Sequence, residues 1–477
     1  MTDAAGPERL ALRTLARLAE PARPRVDPRE LRTRIVHLGL GAFHRAHQAP
    51  YTEDAVAAAG GDWGIAGVTL RSRKVLDQLA AQDCLYSVLE RSNAESHIRV
   101  VGAIREALFA GDESAEVVRR LADPAVAVAT MTVTEKGYGG PVIGLLVDGL
   151  HARMRADAGP LAVVSCDNLA HNGSTLAGRV RDFVEHMPDG ERVQTWLAAS
   201  VTFPNTMVDR IVPATTEADR AEVARLIGLR DEGAVVTEPF RQWVVQDEFP
   251  GGRPAWERAG VVLTRDVESY ELAKLRMLNA SHSALAYLGW PAGCDTIADA
   301  MGVEAFATVV DRLMREDVQP TLDPPEGLDL EQYRNQLLDR FANAALRHRT
   351  EQVAMDGSQK LPQRLLPTLA QRRAAGAEPR WGARVLAAWM CWVWIDRRAD
   401  GTPRPLDDPL AETLAGAVAN VTTPAQVVNR LLAVREVFDA RFAEDGVIRK
   451  LLVEAVEQIS RVGTADAARM WESEDRT

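Results

Sequence analysis

Arg34-Ile-Val-His-Leu-Gly-Leu-Gly41 is the stretch whose reading decides the fold. Five strand-forming residues run directly into two glycines one residue apart, and the segment behind them can open a helix. A strand that ends in such a turn can bring bare backbone close to a pyrophosphate at a helix N-terminus. The third glycine of a G-x-G-x-x-G fingerprint is missing, because His44 stands in its place. Taken alone, the turn fits either a dinucleotide site or a tight strand-to-helix connection. Its position at the end of the first strong strand favours the dinucleotide site.

Further apolar runs follow at Gly64–Leu70, Ala125–Val133, Leu161–Cys166 and Val235–Gln246, with amphipathic stretches such as Ser114–Leu121 and Ser174–Glu185 between them. Strands alternating with helices predict a doubly wound α/β domain over residues 34–270. Unbroken apolar strands suit a parallel sheet covered on both faces. Residues 1–33 read as a leader, with a short helix over Glu8–Leu18 and a proline-rich stretch over Glu20–Pro28. From residue 271 to 477 strand signals almost vanish. Helical patterns cover Glu271–Leu288, Val303–Glu316, Leu330–Arg347, Gly382–Ile395, Pro424–Glu436 and Val447–Val462, which predicts a mainly α-helical second domain.

The 477 residues are 46% hydrophobic and 26% charged, which excludes whole-chain disorder and a disulfide-dense scaffold. A formal charge of −11 disfavours a nucleic-acid partner. Cys84, Cys166, Cys294 and Cys391 lie far apart and form no metal-binding or redox pair. The N-terminus lacks the apolar core of a signal peptide, and no run reaches the ~18 apolar residues of a membrane span. A cytoplasmic location is expected, with no membrane partner.

The second strand tip reads Thr69-Leu-Arg-Ser-Arg73. An acid there would hold the ribose hydroxyls of NAD, whereas arginines can meet the 2′-phosphate of NADP. The alternatives are that Arg71 and Arg73 meet such a phosphate or are solvated surface charges. His44 and His47, three apart with no acid or cysteine at ligand spacing, give little support to a metal site.

Ser269–His282 is the most informative helix. At about 100° per residue, with Lys274 at zero, Glu271 falls near about 60°, His282 near about 80° and Asn279 near about 140°. Leu275 and Leu278 share that arc, which suits a partly buried face. A desolvated lysine can serve as a base near neutral pH, and an asparagine can donate to a developing alkoxide. His282 can hold substrate and Glu271 can pass a proton to solvent. The plainer alternative is a structural helix carrying an edge Glu–Lys pair. Asn168 at the end of an apolar strand, Asp209 and Arg210, and Lys360 with Arg364 in the segment Met355–Arg364 are further polar candidates; capped turns or surface ion pairs are the alternative for each.

Together, Gly39-Leu-Gly-Ala-Phe-His-Arg-Ala-His47, Thr134-Glu-Lys-Gly-Tyr138, Ser165-Cys-Asp-Asn168, Met207-Val-Asp-Arg210 and the Lys274, Asn279, His282 spacing resemble the polyol-specific long-chain dehydrogenases, the mannitol dehydrogenase family, over roughly residues 34–370. The resemblance implies a Rossmann-type N-terminal domain followed by a mainly α-helical C-terminal domain. It implies metal-independent ketone/alcohol interconversion with NAD, NADP being possible, on a small-molecule sugar acid or polyol/ketose, by a monomer. It implies Lys274 as acid/base, Asn168 and Asn279 as oxyanion donors and Glu271 as proton relay. Substrate contacts are implied at His282, Asp209 and Lys360. Cofactor contacts are expected at Gly39, Gly41, Phe43, His44 and Arg71, although arginines at 71 and 73 depart from the pattern of that family.

Within that family Glu238-Pro-Phe-Arg-Gln-Trp243 and Ala354–Arg364 are similar to the fructuronate reductase (mannonate oxidoreductase) branch. The mannitol branch typically has an apolar residue in place of Arg241 and an arginine in place of Gln352. A uronate carries a carboxylate whose burial demands a partner, and a guanidinium can supply a forked one. Arg241 and Arg364 are the candidates. The expected activity is interconversion of D-fructuronate and D-mannonate. Rivals are a mannitol 2-dehydrogenase or an arabinitol/xylulose or tagaturonate/altronate enzyme, a non-catalytic binding regulator on the same fold, and a zinc alcohol dehydrogenase, which the scattered cysteines disfavour.

Overall fold

The computed structural model describes residues 7–474 except 326, 399 and 405, and omits the side chains of 135 and 136. The chain divides into two compact units, Met1–Glu268 and Ser269–Thr477.

In the first unit the strands are β1 (Arg32–Leu38), β2 (Trp63–Thr69), β3 (Tyr86–Arg91), β4 (Ser96–Val101), β5 (Ile104–Phe109), β6 (Val128–Met131), β7 (Leu161–Ser165), β8 (Val201–Thr202), β9 (Thr206–Asp209), β10 (Val235–Thr237), β11 (Gln242–Gln246) and β12 (Val262–Thr264). Six of them form a parallel sheet in the order β5-β2-β1-β6-β7-β8. Read along the six, this is the doubly wound order 3-2-1-4-5-6, whose direction of growth reverses between β1 and β6. Alternation along each strand separates two cores. Ile35, Val128 and Val164 face one, with Tyr51, Trp243 and Trp256. Val36, Ala129 and Val163 face the other, with Leu121, Leu146 and Val180 from the covering helices. Both faces are apolar because both are covered.

Three expectations are corrected here. Val235–Gln246 is not one run: Pro239, which has no N–H to give a ladder, separates β10 from β11, and these strands join different three-stranded sheets, β10-β3-β4 and β12-β11-β9. The described part of the stretch read as a leader, residues 7–33, packs into the first unit. Leu10, Leu18 and Ala22 are buried with Leu89, Val100 and Ile227, and Leu10 N–H donates to Arg230 O (2.9 Å). The helix expected over Glu8–Leu18 is a 3₁₀ segment, Leu12–Arg17.

The second unit is helical. Its centre is Ala280–Gly289, in which every residue is buried. Around it pack Arg380–Trp394 and the long Gly446–Glu474, which kinks at Gly463. The expected helix Glu271–Leu288 contains an irregularity. Glu268–Ala273 is α-helical, Lys274–Asn279 is a π turn, and the α-helix resumes at Ala280. A second π turn, Leu313–Val318, packs against the first. The pattern expected over Leu330–Arg347 ends at Phe341, followed by a 3₁₀ turn, Ala344–Leu346. Among the described residues no helix is long and apolar enough to cross a membrane.

Candidate functional site

In the first unit, β1 delivers the glycine turn to the point where the sheet order reverses. Gly39 has φ +104°, and a Cβ there would lie 2.1 Å from Thr132 O. The turn therefore needs glycine for conformation and for space. Gly41 differs. Its φ of −104° is open to any residue, and a Cβ would meet only Gly39 O, at 3.6 Å. The fold does not require glycine at 41, and the space beside that backbone suits close approach of a pyrophosphate.

Beneath the turn, His37 is fully buried and hydrogen-bonded to Thr130 Oγ1 (2.7 Å), Thr132 Oγ1 (3.0 Å) and Gly39 O (3.1 Å). His44 stacks on it at 3.4 Å. Burial pushes the His37 imidazole down to about 3, and His44 well below its ordinary value. His44, expected at the cofactor, is thus an enclosed ring under the turn. His47 uses both ring nitrogens, with Gln242 O (2.9 Å) and Gln48 Nε2 (2.9 Å), and Phe43 stacks on it. Buried Arg45, which sequence reasoning missed, donates to Gly41 O (3.2 Å) and to Gly233 O.

Asn168 is exposed just beyond β7. The residue that shapes its loop is its neighbour. Buried Asp167 accepts from Val133 N–H (2.9 Å), Thr134 N–H (2.8 Å) and Tyr138 O–H (3.0 Å), which ties the ends of β6 and β7 together. Burial pushes its carboxyl up. Asp209 is buried at the end of β9, paired in register with Gln242 on β11.

Arg241 has a resident carboxylate. It donates to Asp54 Oδ2 (2.6 Å) and lies 4.1 Å from the Tyr51 ring centroid, and Arg99 and Arg25 share the same aspartate. Asp54 holds Arg241 in place, which makes it the weaker of the two arginine candidates for a substrate carboxylate.

A cavity of about 490 Å³ opens at the carboxyl ends of β2, β5 and β6, lined by Leu70, Arg71, Gly111, Ser114, Val133 and Pro141 among others. Arg71 is exposed at its rim.

In the second unit the π turn governs the geometry. A π turn closes after five residues instead of four, so Lys274 and Asn279 stack nearly one above the other rather than standing about 140° apart. Lys274, Asn279 and His282 are all buried, and Glu271 is half-buried. His282 Nε2 has no hydrogen-bond partner among the described residues, and its ring meets Phe341 and His348 edge-on. Burial, then the charges of His348, Arg340, Arg364 and Lys274, hold His282 well below its ordinary value, so it is neutral. Arg364 donates to Ser283 Oγ (3.1 Å) and Asn279 O (3.3 Å), both neutral acceptors. Burial pushes the Arg364 guanidinium below its ordinary value as well. Lys360 Nζ donates to Met355 O (2.5 Å), and burial, then Arg364, pushes it down to about 8.

The Asp356-Gly-Ser358 motif is structural. A Cβ on Gly357 would lie 2.4 Å from Trp389 Nε1, and Ser358 N–H donates to Asp408 (2.8 Å).

Residues 33–258 match the mannitol dehydrogenase Rossmann domain, and residues 266–460 match the mannitol dehydrogenase C-terminal domain. The chain is 40% identical over 476 residues to an uncharacterized oxidoreductase of Escherichia coli K12, YeiQ, covering 93% of this chain and 96% of that protein. It is 40% identical over 398 residues to the D-mannonate oxidoreductase of the same organism, covering 77% and 82%. The Pseudomonas fluorescens mannitol 2-dehydrogenase, solved as a ternary complex with NAD and D-mannitol, aligns with a TM-score of 0.85 at 34% identity, covering 98% of this chain and 99% of that one.

Proposed function

The chain belongs to the mannitol dehydrogenase family of oxidoreductases, and on that premise we propose that it interconverts D-fructuronate and D-mannonate with NAD(H) or NADP(H), by a lysine acid/base and without a metal. The observation that carries the choice of a sugar acid is Arg364. It is a half-buried guanidinium beside Asn279 whose hydrogen bonds go to neutral acceptors, so its charge is open to a carboxylate. The likeness to D-mannonate oxidoreductase supports the same reading.

The residues of the first unit fit the dinucleotide. Gly41 leaves room for a pyrophosphate that the fold itself does not need, and the cavity at the strand ends suits the adenosine. When bound, the nicotinamide supplies the hydride for ketone reduction and takes it back in alcohol oxidation. In reduction, Lys274 Nζ gives its proton to the carbonyl oxygen; in oxidation the neutral amine removes the hydroxyl proton. Asn279 and Asn168 donate to the oxygen as negative charge develops on it. Glu271 relays the proton to water. His282, Asp209 and Lys360 hold substrate hydroxyls, and neutral His282 is able to accept as well as donate.

The test is NADH oxidation on the purified chain with D-fructuronate and D-fructose side by side. The reading predicts a kcat/KM at least about 30-fold higher for fructuronate, the worth of about 2 kcal/mol from one charge-assisted hydrogen bond. A preference for fructose would overturn it in favour of a neutral-polyol enzyme, the reading suggested by the mannitol-bound relative.

A further inference from the structure

We infer that the cavity beyond β2 takes a nucleotide bearing a 2′-phosphate, with Arg71 as the residue that selects it, so that the chain binds NADP(H) at least as tightly as NAD(H). The inference rests on the dinucleotide reading above and concerns the adenosine end alone.

β2 ends at Thr69, whose hydroxyl is turned inward and donates to Leu108 O (3.2 Å). In sheets of this strand order an acid near that tip accepts from the 2′-hydroxyl of NAD, whereas an arginine accommodates the 2′-phosphate of NADP. Here Leu70-Arg-Ser-Arg73 follows, with no acid. The structure separates the two arginines. Arg73 donates to Asp112 Oδ2 (2.5 Å), lies 3.7 Å from Asp77 and sits over the Phe109 ring, so its charge is answered twice. Arg71 lines the cavity, is exposed, and has no hydrogen bond or ion pair among the described residues.

Ser114 brings a hydroxyl to the same cavity, and Asp148 is the one carboxylate among its lining residues. Asp112, the acid that follows Gly111, is engaged by Arg73. A 2′-hydroxyl would therefore find no free carboxylate at the strand tip. A 2′-phosphate, with a charge of roughly −1.5 to −2, would find a forked guanidinium able to give it two hydrogen bonds.

The experiment is calorimetric titration of the full chain with adenosine 2′,5′-bisphosphate and with 5′-AMP, which differ only in the 2′-phosphate. Fluorescence titration with NADPH and NADH runs beside it. The bisphosphate is expected to bind about tenfold or more tighter than 5′-AMP, and added salt should shrink the difference. Arg71→Leu should bring the two ligands within about twofold of each other. Arg73→Leu should leave the preference intact. Equal or weaker binding of the bisphosphate overturns the inference, as does a preference that survives Arg71→Leu or vanishes in Arg73→Leu. If 5′-AMP binds without any 2′-phosphate preference, only this inference fails. If neither nucleotide binds, the dinucleotide reading fails with it.

Discussion

Gly39→Ala and Gly41→Ala make the same chemical change two residues apart and should have opposite consequences. At Gly39 the added Cβ would stand 2.1 Å from Thr132 O and 2.8 Å from Thr132 C, on a backbone with φ +104°. Left-handed strain costs about 1–3 kcal/mol, and forcing an extra carbon into a packed site costs about 1–3 kcal/mol more. We therefore expect a loss of about 3–5 kcal/mol, with the damage centred on the β1/β6 pair. At Gly41 the backbone is unstrained for alanine and the nearest neighbour lies at 3.6 Å. Stability should hold or rise by up to about 1 kcal/mol through the unfolded chain. The same carbon would occupy the pyrophosphate approach, so NADH affinity should fall about tenfold or more, at least about 1.4 kcal/mol. Urea unfolding followed through the chain's ten tryptophans reads the first quantity, and NADH fluorescence titration reads the second. A Gly41→Ala variant that binds NADH like the parent would refute the reasoning. So would one destabilised as much as Gly39→Ala.

Four further outcomes are expected. Arg364→Leu should cut kcat/KM for fructuronate by about 30-fold or more and for fructose much less, while Arg241→Leu should affect both substrates alike; paired kinetics on the two variants decide it. Rates of reduction should fall, and rates of oxidation rise, as pH increases, because Lys274 acts protonated in one direction and neutral in the other; parallel pH profiles would remove it as the acid/base. Burial pushes the Asp317 carboxyl up to about 6 from 3.8, so the folded chain holds that proton more tightly than the unfolded chain does. Stability gained below the unfolded value is then lost as pH rises through about 6, and Asp317→Asn should gain about 2 kcal/mol on the parent between pH 4 and pH 7 in urea titrations. Prolonged treatment with a strong chelator should leave turnover undiminished, as measured by NADH absorbance.

What could be read from sequence, and what could not, follows the range of the physics involved. β1 and its glycine turn were legible because a strand and the turn it feeds are contiguous. The helical second half was legible because periodicity is local. Arg241 was not, because the carboxylate that answers it, Asp54, lies 187 positions away in the chain. The burial of Leu10, Leu18 and Ala22 was hidden for the same reason: the β3–β4 ribbon and the Glu217–Ile227 helix that cover them are distant in sequence. The wheel drawn for Ser269–His282 had the wrong phase for Lys274 against Asn279. It assumed a uniform 100° step, and no residue in Lys274–Asn279 announces a wider turn. The signal missed at Asp167 was its own position: an acid directly after an apolar strand is well placed to collect the N–H groups of the neighbouring strand's exit.

The π turn at Lys274–Asn279 amounts to one residue more than a regular helix would hold. Removing a residue between Leu275 and Leu278 would let the backbone close into continuous α-helix, with better hydrogen-bond geometry than the π turn offers. It would leave Lys274 nearly above Asn279, because residues four apart in an α-helix stand only about 40° from each other. Such a deletion should give a chain that folds as well as its parent, or better, with Lys274, Asn279 and His282 still on one face. The extra residue is an insertion that the helix absorbs locally, so that the turns on either side of it keep their phase.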